Sequence, residues 1–185
     1  MRWERLFANI EAQEAAESLR MQEDNIAEMV RLLASEETLQ QRLLRRLGQT
    51  VAVTTPGRGT VLRMRLTAVG KEWLSGREGS REVLIPLRHV LAVEPDTSEP
   101  EQRGADTRVL TVSLRSALRE LARQRTLVEV EMAANQVSFR GTFDQIAMDH
   151  CVLVQHAADE FRRARAIKTT TWLPLTQLSA VYSWR

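Results

Sequence analysis

Val61-Leu62-Arg63-Met64-Arg65-Leu66-Thr67 is the stretch on which the fold turns. From Leu62 to Thr67 apolar and polar residues alternate, and alternation of period two puts successive side chains on opposite faces of a strand. Leu62, Met64 and Leu66 make one face, and Arg63, Arg65 and Thr67 the other. Upstream, Thr54-Thr55-Pro56-Gly57-Arg58-Gly59 is turn chemistry, and Val51 and Val53 begin the same alternation. Downstream, Gly70-Lys71 turns the chain, Trp73-Leu74 continues the sheet, residues 76–80 read as a polar hairpin tip, and residues 83–93 supply further strands.

Before Gly48 the period is helical. Leu39, Leu43, Leu44 and Leu47 end at Gly48, a residue suited to the left-handed position after a helix. Ser35, followed by Glu36 and Glu37, reads as the cap that starts this helix. Further upstream, Trp3, Leu6, Phe7, Ile10, Ala15, Leu19, Ile26, Met29, Val30 and Leu33 predict a long amphipathic helix over residues 1–34.

Residues 94–112 hold Pro95, Pro100, Gly104 and Asp106 and read as a linker. Beyond it the pattern returns: a helix through Leu114, Leu118 and Leu121, then alternating strands from Val128 onward. At an offset of 77, Val51 falls on Val128, Val53 on Val130, Arg63 on Arg140 and Leu66 on Phe143. At an offset of 88, Ile85-Pro86-Leu87 falls on Leu173-Pro174-Leu175, and Ala92-Val93 on Ala180-Val181. The second copy thus carries 11 extra residues between Val154 and Thr171. These matches fall in one order, which argues for an internal duplication. The expected fold is mainly β with helices (α+β): the N-terminal helix, then two five-stranded barrels at 35–93 and 113–185, each preceded by a short helix.

A short helix followed by five short strands resembles the Sm-like family, which includes the bacterial Hfq proteins. The step Gly141-Thr142-Phe143-Asp144 is similar to that family's middle strand, with Met64 in the place of the glycine in the first copy. The opening Met1-Arg2-Trp3-Glu4-Arg5-Leu6-Phe7 resembles that of a family of uncharacterised bacterial proteins. The resemblance implies RNA binding. The uridine-site pattern of Sm proteins is not carried over, because Thr67-Ala68-Val69-Gly70 and Asp144-Gln145-Ile146-Ala147 stand in its place.

Function is narrowed first by exclusion. The chain has no phosphate-binding glycine loop and no nucleophile elbow. Cys151 is the single cysteine, and it lies in the apolar run Cys151-Val152-Leu153-Val154, which suits a buried thiol. His89, His150 and His156 form no metal-ligand spacing, and Asp149-His150 reads as a turn. The expectation is a protein that is not an enzyme and carries no cofactor and no metal. No apolar run is long enough for a membrane helix and no signal segment opens the chain, so a cytoplasmic location and no membrane partner are expected.

Charge supplies the positive candidates. Residues 38–93 carry 10 basic and 3 acidic side chains, whereas residues 1–37 carry 4 and 9. Phosphate binding needs several cations on one surface. Arg42, Arg45, Arg46, Arg58, Arg63, Arg65 and Arg88 form the main candidate set, with a second cluster at Arg162, Arg163 and Arg165. The first reading is low-specificity binding of RNA through this arginine surface. The alternative is an interaction or oligomerisation scaffold that uses barrel edges and the N-terminal helix, by self-association or with a protein partner.

Overall fold

The computed structural model describes residues 19–26, 28–32, 35–56, 61–96, 98, 110–134, 137–156 and 167–184. The chain divides into two compact units, residues 1–41 and 42–185. In the first, residues 19–26 and 28–32 are helical (α1); the earlier part of the expected helix, with Trp3, Leu6, Phe7, Ile10 and Ala15, lies outside the described residues, as does Leu33. The helix that follows, α2 (Leu39–Leu44), starts differently from the expectation. Ser35 Oγ donates to the Leu32 carbonyl at 2.7 Å. The cap is Thr38, whose hydroxyl accepts from Gln41 N at 3.2 Å while Gln41 Oε1 accepts from Thr38 N at 2.7 Å. A Thr-x-x-Gln box satisfies two orphan donors reciprocally, which Ser35 followed by two carboxylates does not.

Ten strands follow: β1 (Thr50–Thr54), β2 (Val61–Val69), β3 (Trp73–Glu78), β4 (Arg81–Pro86) and β5 (Ala92–Pro95), then helix α3 (Leu114–Arg123), then β6 (Leu127–Met132), β7 (Ser138–Ile146), β8 (His150–His156), β9 (Ile167–Pro174) and β10 (Leu178–Trp184). Short 3-10 turns occupy Leu87–His89 and Leu175–Gln177.

The expectation of two five-stranded barrels is overturned. All ten strands form one open sheet in the order β5-β1-β2-β3-β4-β10-β6-β7-β8-β9, every neighbouring pair antiparallel. Closure of the first half would need β4 to reach β5. That edge is instead taken by β10, with Val181 opposite Leu84 and Tyr182 opposite Val83. β5 and β9 are left as the two edges.

Within the sheet the two halves repeat each other rung for rung. Val53↔Leu62 becomes Val130↔Phe139 when 77 is added to both. Leu74↔Ile85 becomes Cys151↔Leu173 with 77 and 88. Val53↔Val93 becomes Val130↔Val181. Even the irregularity between Leu66 and Ala68 recurs between Phe143 and Gln145. The 11 additional residues fall in the β8–β9 hairpin. β5 takes Glu94 and Pro95 of the segment read as a linker, and Leu110 bridges Gly70. Pro100, Gly104 and Asp106 lie outside the described residues.

There are two cores, and each borrows from the other half. The first gathers Leu43, Leu44, Val51, Val53, Leu62, Met64, Leu66 and Ile85, and also Ala180 and Tyr182 of β10. The second gathers Leu114, Leu118, Val128, Val130, Phe143, Leu153 and Leu173, and also Trp73, with Ala68 and Leu84 packed against it. Trp73 Nε1 donates to the Val112 carbonyl at 2.9 Å, so the indole fills the apolar space with its polar atom satisfied.

Candidate nucleic-acid interface

β2 buries Leu62, Met64 and Leu66 and exposes Arg63 and Arg65, as the alternation requires. Arg65 Nε donates to the Gly48 carbonyl at 2.7 Å, which ties β2 to the turn after α2. Arg46, on the same turn, donates to Gln49 Oε1 at 3.2 Å. Arg42 and Arg45 are exposed. α2, its turn and β2 thus bring Arg46 and Arg65 to one neighbourhood around Gly48 and Gln49.

Sequence reasoning missed Arg77. The register places it directly opposite Arg65 across β2 and β3. Like charges in directly opposed positions destabilise a sheet. Glu82, opposite Arg77 on β4, offsets part of this through an exposed contact of 3.4 Å. The missed signal lay in hairpin symmetry: a turn at Gly70-Lys71 brings a residue near 65 to one near 77, although Gly76 and Gly79 make that stretch look like a tip. Arg63 stands toward the other side of the face. Asp96 lies near it and is held below the ordinary carboxylate range, chiefly by hydrogen bonds from Ser98 Oγ (2.7 Å) and Ser98 N (3.0 Å), with the charge of Arg63 adding to them.

Arg88 is placed elsewhere. Its guanidinium donates to the Leu175 carbonyl, and His89 Nε2 lies 2.7 Å from the Thr176 carbonyl. These bonds tie the two 3-10 turns to each other across the halves. Burial lowers the Arg88 pKa, with Glu72 opposing. Arg58, Arg162, Arg163 and Arg165 lie outside the described residues.

Cys151 and the Asp149-His150 pair already have partners within the chain. Cys151 is fully buried, its Sγ 3.6 Å from the Leu173 carbonyl, and burial pushes the thiol up to about 12. His150 Nδ1 lies 2.7 Å from Asp149 Oδ1, and this bond holds the Asp149 carboxyl below its usual range. Among the described residues no three His, Cys, Asp or Glu side chains gather for a metal, and no helix is long and apolar enough to cross a membrane. Glu131, buried at the junction of the halves, accepts from Tyr182 Oη at 3.3 Å, and Arg81 lies over the Tyr182 ring at 5.2 Å. With Thr55, Leu62 and Glu78 these residues line a small cavity at the junction.

No protein-family model matches the chain, and no curated protein matches it.

Proposed function

We propose that the chain is a non-catalytic binding protein that engages the phosphate backbone of RNA through the exposed arginines of the first half. The observation that carries the reading is Arg65 facing Arg77 across β2 and β3, with Arg63 two residues along the same strand face. Arg65 is engaged at Nε by the Gly48 carbonyl and Arg77 in part by Glu82, and a polyanion bridging their other donors would turn two opposed cations into charge-assisted contacts. Arginine suits that task, because its planar fork meets phosphate oxygens in pairs. The Sm-like resemblance in the sequence supports the same ligand class. The scarcity of aromatic residues on this face supports backbone contact over base stacking, and therefore low sequence preference.

The test is binding of a mixed-sequence single-stranded RNA across a salt series, with the intact chain and a variant carrying Arg63→Ala, Arg65→Ala and Arg77→Ala. Phosphate contacts release counterions, so loss of three of them is expected to flatten the log–log salt slope by about 2. Binding that is absent at low salt, or whose slope is the same in the variant, overturns the proposal.

A further inference from the structure

Within the sheet the halves meet through one strand pair, β4 against β10, and among the described residues each half leaves one strand without an outer neighbour. In the repeat, β5 is the counterpart of β10, and β9 is the counterpart of β4. The chain therefore holds a second set of both sides of its own internal junction, one at each edge of the sheet. Such edges pair with another strand unless something blocks them.

The side chains at these edges match that role. At the internal junction Leu84 leaves the outward face of its own half and packs against the core of the other. Its counterpart under the offset of 88 is Trp172, which is 74% exposed on β9. Its ring centroid lies 6.2 Å from that of His150, and most of the indole faces water on the edge strand. Just before β5, Leu91 is 65% exposed beside Ala92 and Val93, the counterparts of Ala180 and Val181. One feature weakens this edge. Asp96 N donates to Thr50 O across β1, so alternation turns Pro95 to the open side, where it offers a carbonyl and no donor. The second junction is thus weaker than the internal one by one hydrogen bond, which suits reversible association.

We propose that copies of this chain associate head to tail, β9 of one copy pairing antiparallel with β5 of the next. The register repeats that of β4 and β10: Trp172 opposite Val93, Thr171 opposite Glu94 and Thr170 opposite Pro95. Trp172 then covers the first core of the next copy as Leu84 covers the second core within the chain. The interface joins unlike edges, so every added copy presents a fresh β9 and a fresh β5, and growth ends only when a ring closes. A second copy is the occupant because its edge is the one whose register and side chains this sheet already uses.

Two measurements on the full chain test this. In sedimentation velocity across a wide concentration range, the intact chain is expected to show masses rising beyond twice the single chain. Trp172→Arg, at an exposed position, is expected to weaken association about tenfold or more, because it removes the central apolar anchor. In the second measurement, Glu94→Cys and Thr171→Cys are combined. Their counterparts Tyr182 and Val83 are cross-strand partners at the internal junction, in a position of close, non-bonded pairing that a disulfide can span. Mild oxidation of the double variant is expected to give a ladder of linked chains, which the single variants and the displaced pair Leu91→Cys with Thr171→Cys do not give. Both residues of the pair stand at open edges, so an unchanged circular dichroism spectrum verifies folding. A chain that stays monomeric, or that stops at a dimer without forming the disulfide between positions 94 and 171, overturns the proposal.

Discussion

Arg125 has φ +51°, the left-handed region, at the position that Gly48 (φ +78°) holds in the first half. The turn after each helix needs that conformation, and a side chain with a Cβ adopts it at a cost of roughly 1–2 kcal/mol. Arg125→Gly is expected to raise stability by about 0.5–1 kcal/mol, after the added freedom of glycine in the unfolded chain is subtracted; urea unfolding measures it. Cys151 makes a second residue-scale prediction. Its folded pKa of about 12 lies above the ordinary value of 9.0. Below pH 9 both folded and unfolded states hold the thiol proton. Above it the unfolded state loses the proton first, so this thiol is expected to lower stability progressively as pH rises from 9 toward 12. Comparing alkaline unfolding with that of Cys151→Val isolates the contribution, and the native thiol is expected to resist alkylation at pH 8.

In the strand pair at the centre of each half, the position of the glycine is exchanged. On β2 and β3 a large Met64 lies against Gly76, where an added Cβ would sit 2.7 Å from the Met64 sulfur. On β7 and β8 the glycine is Gly141, counterpart of Met64, and Leu153 takes the place of Gly76. A Cβ on Gly141 would lie 2.3 Å from the Val154 carbonyl oxygen, a backbone atom that cannot swing aside. Gly141→Ala is therefore expected to cost about 1–3 kcal/mol and to lower Tm by several degrees in calorimetry. At Gly76 the added Cβ would meet the movable Met64 sulfur and, at 2.8 Å, the Arg65 carbonyl oxygen, a looser backbone contact than the one at Gly141, so Gly76→Ala is expected to cost less. The elements themselves were legible because their signals are local: the alternation of Leu62 to Thr67 marks β2, and matching rungs at two offsets reveal the repeat. The β4–β10 pairing was not legible. It joins residues about a hundred apart, and both strands look the same in sequence whether they close two barrels or make one sheet. The candidate site divided in the same way. Arg63 and Arg65 followed from alternation, while Arg77 needed the pairing, and Arg88 was drawn away by the Leu175 carbonyl.

The molecule from residue 42 onward is held together by exchange across its middle. Tyr182 and Ala180 sit in the first core although they belong to the second half, and Trp73 does the reverse. Neither half keeps a complete core alone, so one cooperative transition is expected, with near-ultraviolet and far-ultraviolet dichroism coincident. Tyr182→Ala is expected to lower the stability of both halves together, by about 3 kcal/mol or more, rather than to melt one of them first. The central place of β10 also has a meaning in time. A ribosome delivers β1 to β9 before β10, so β4 and β6, neighbours at the heart of the finished sheet, both begin as bare flanks of the nascent chain. Leu84 waits in water through that interval, with Arg81 and Glu82 as the charged residues beside it that discourage wrong partners. The sheet is sewn shut by a late stitch, and a translation pause before residue 178 prolongs the moment at which this protein is most prone to aggregate.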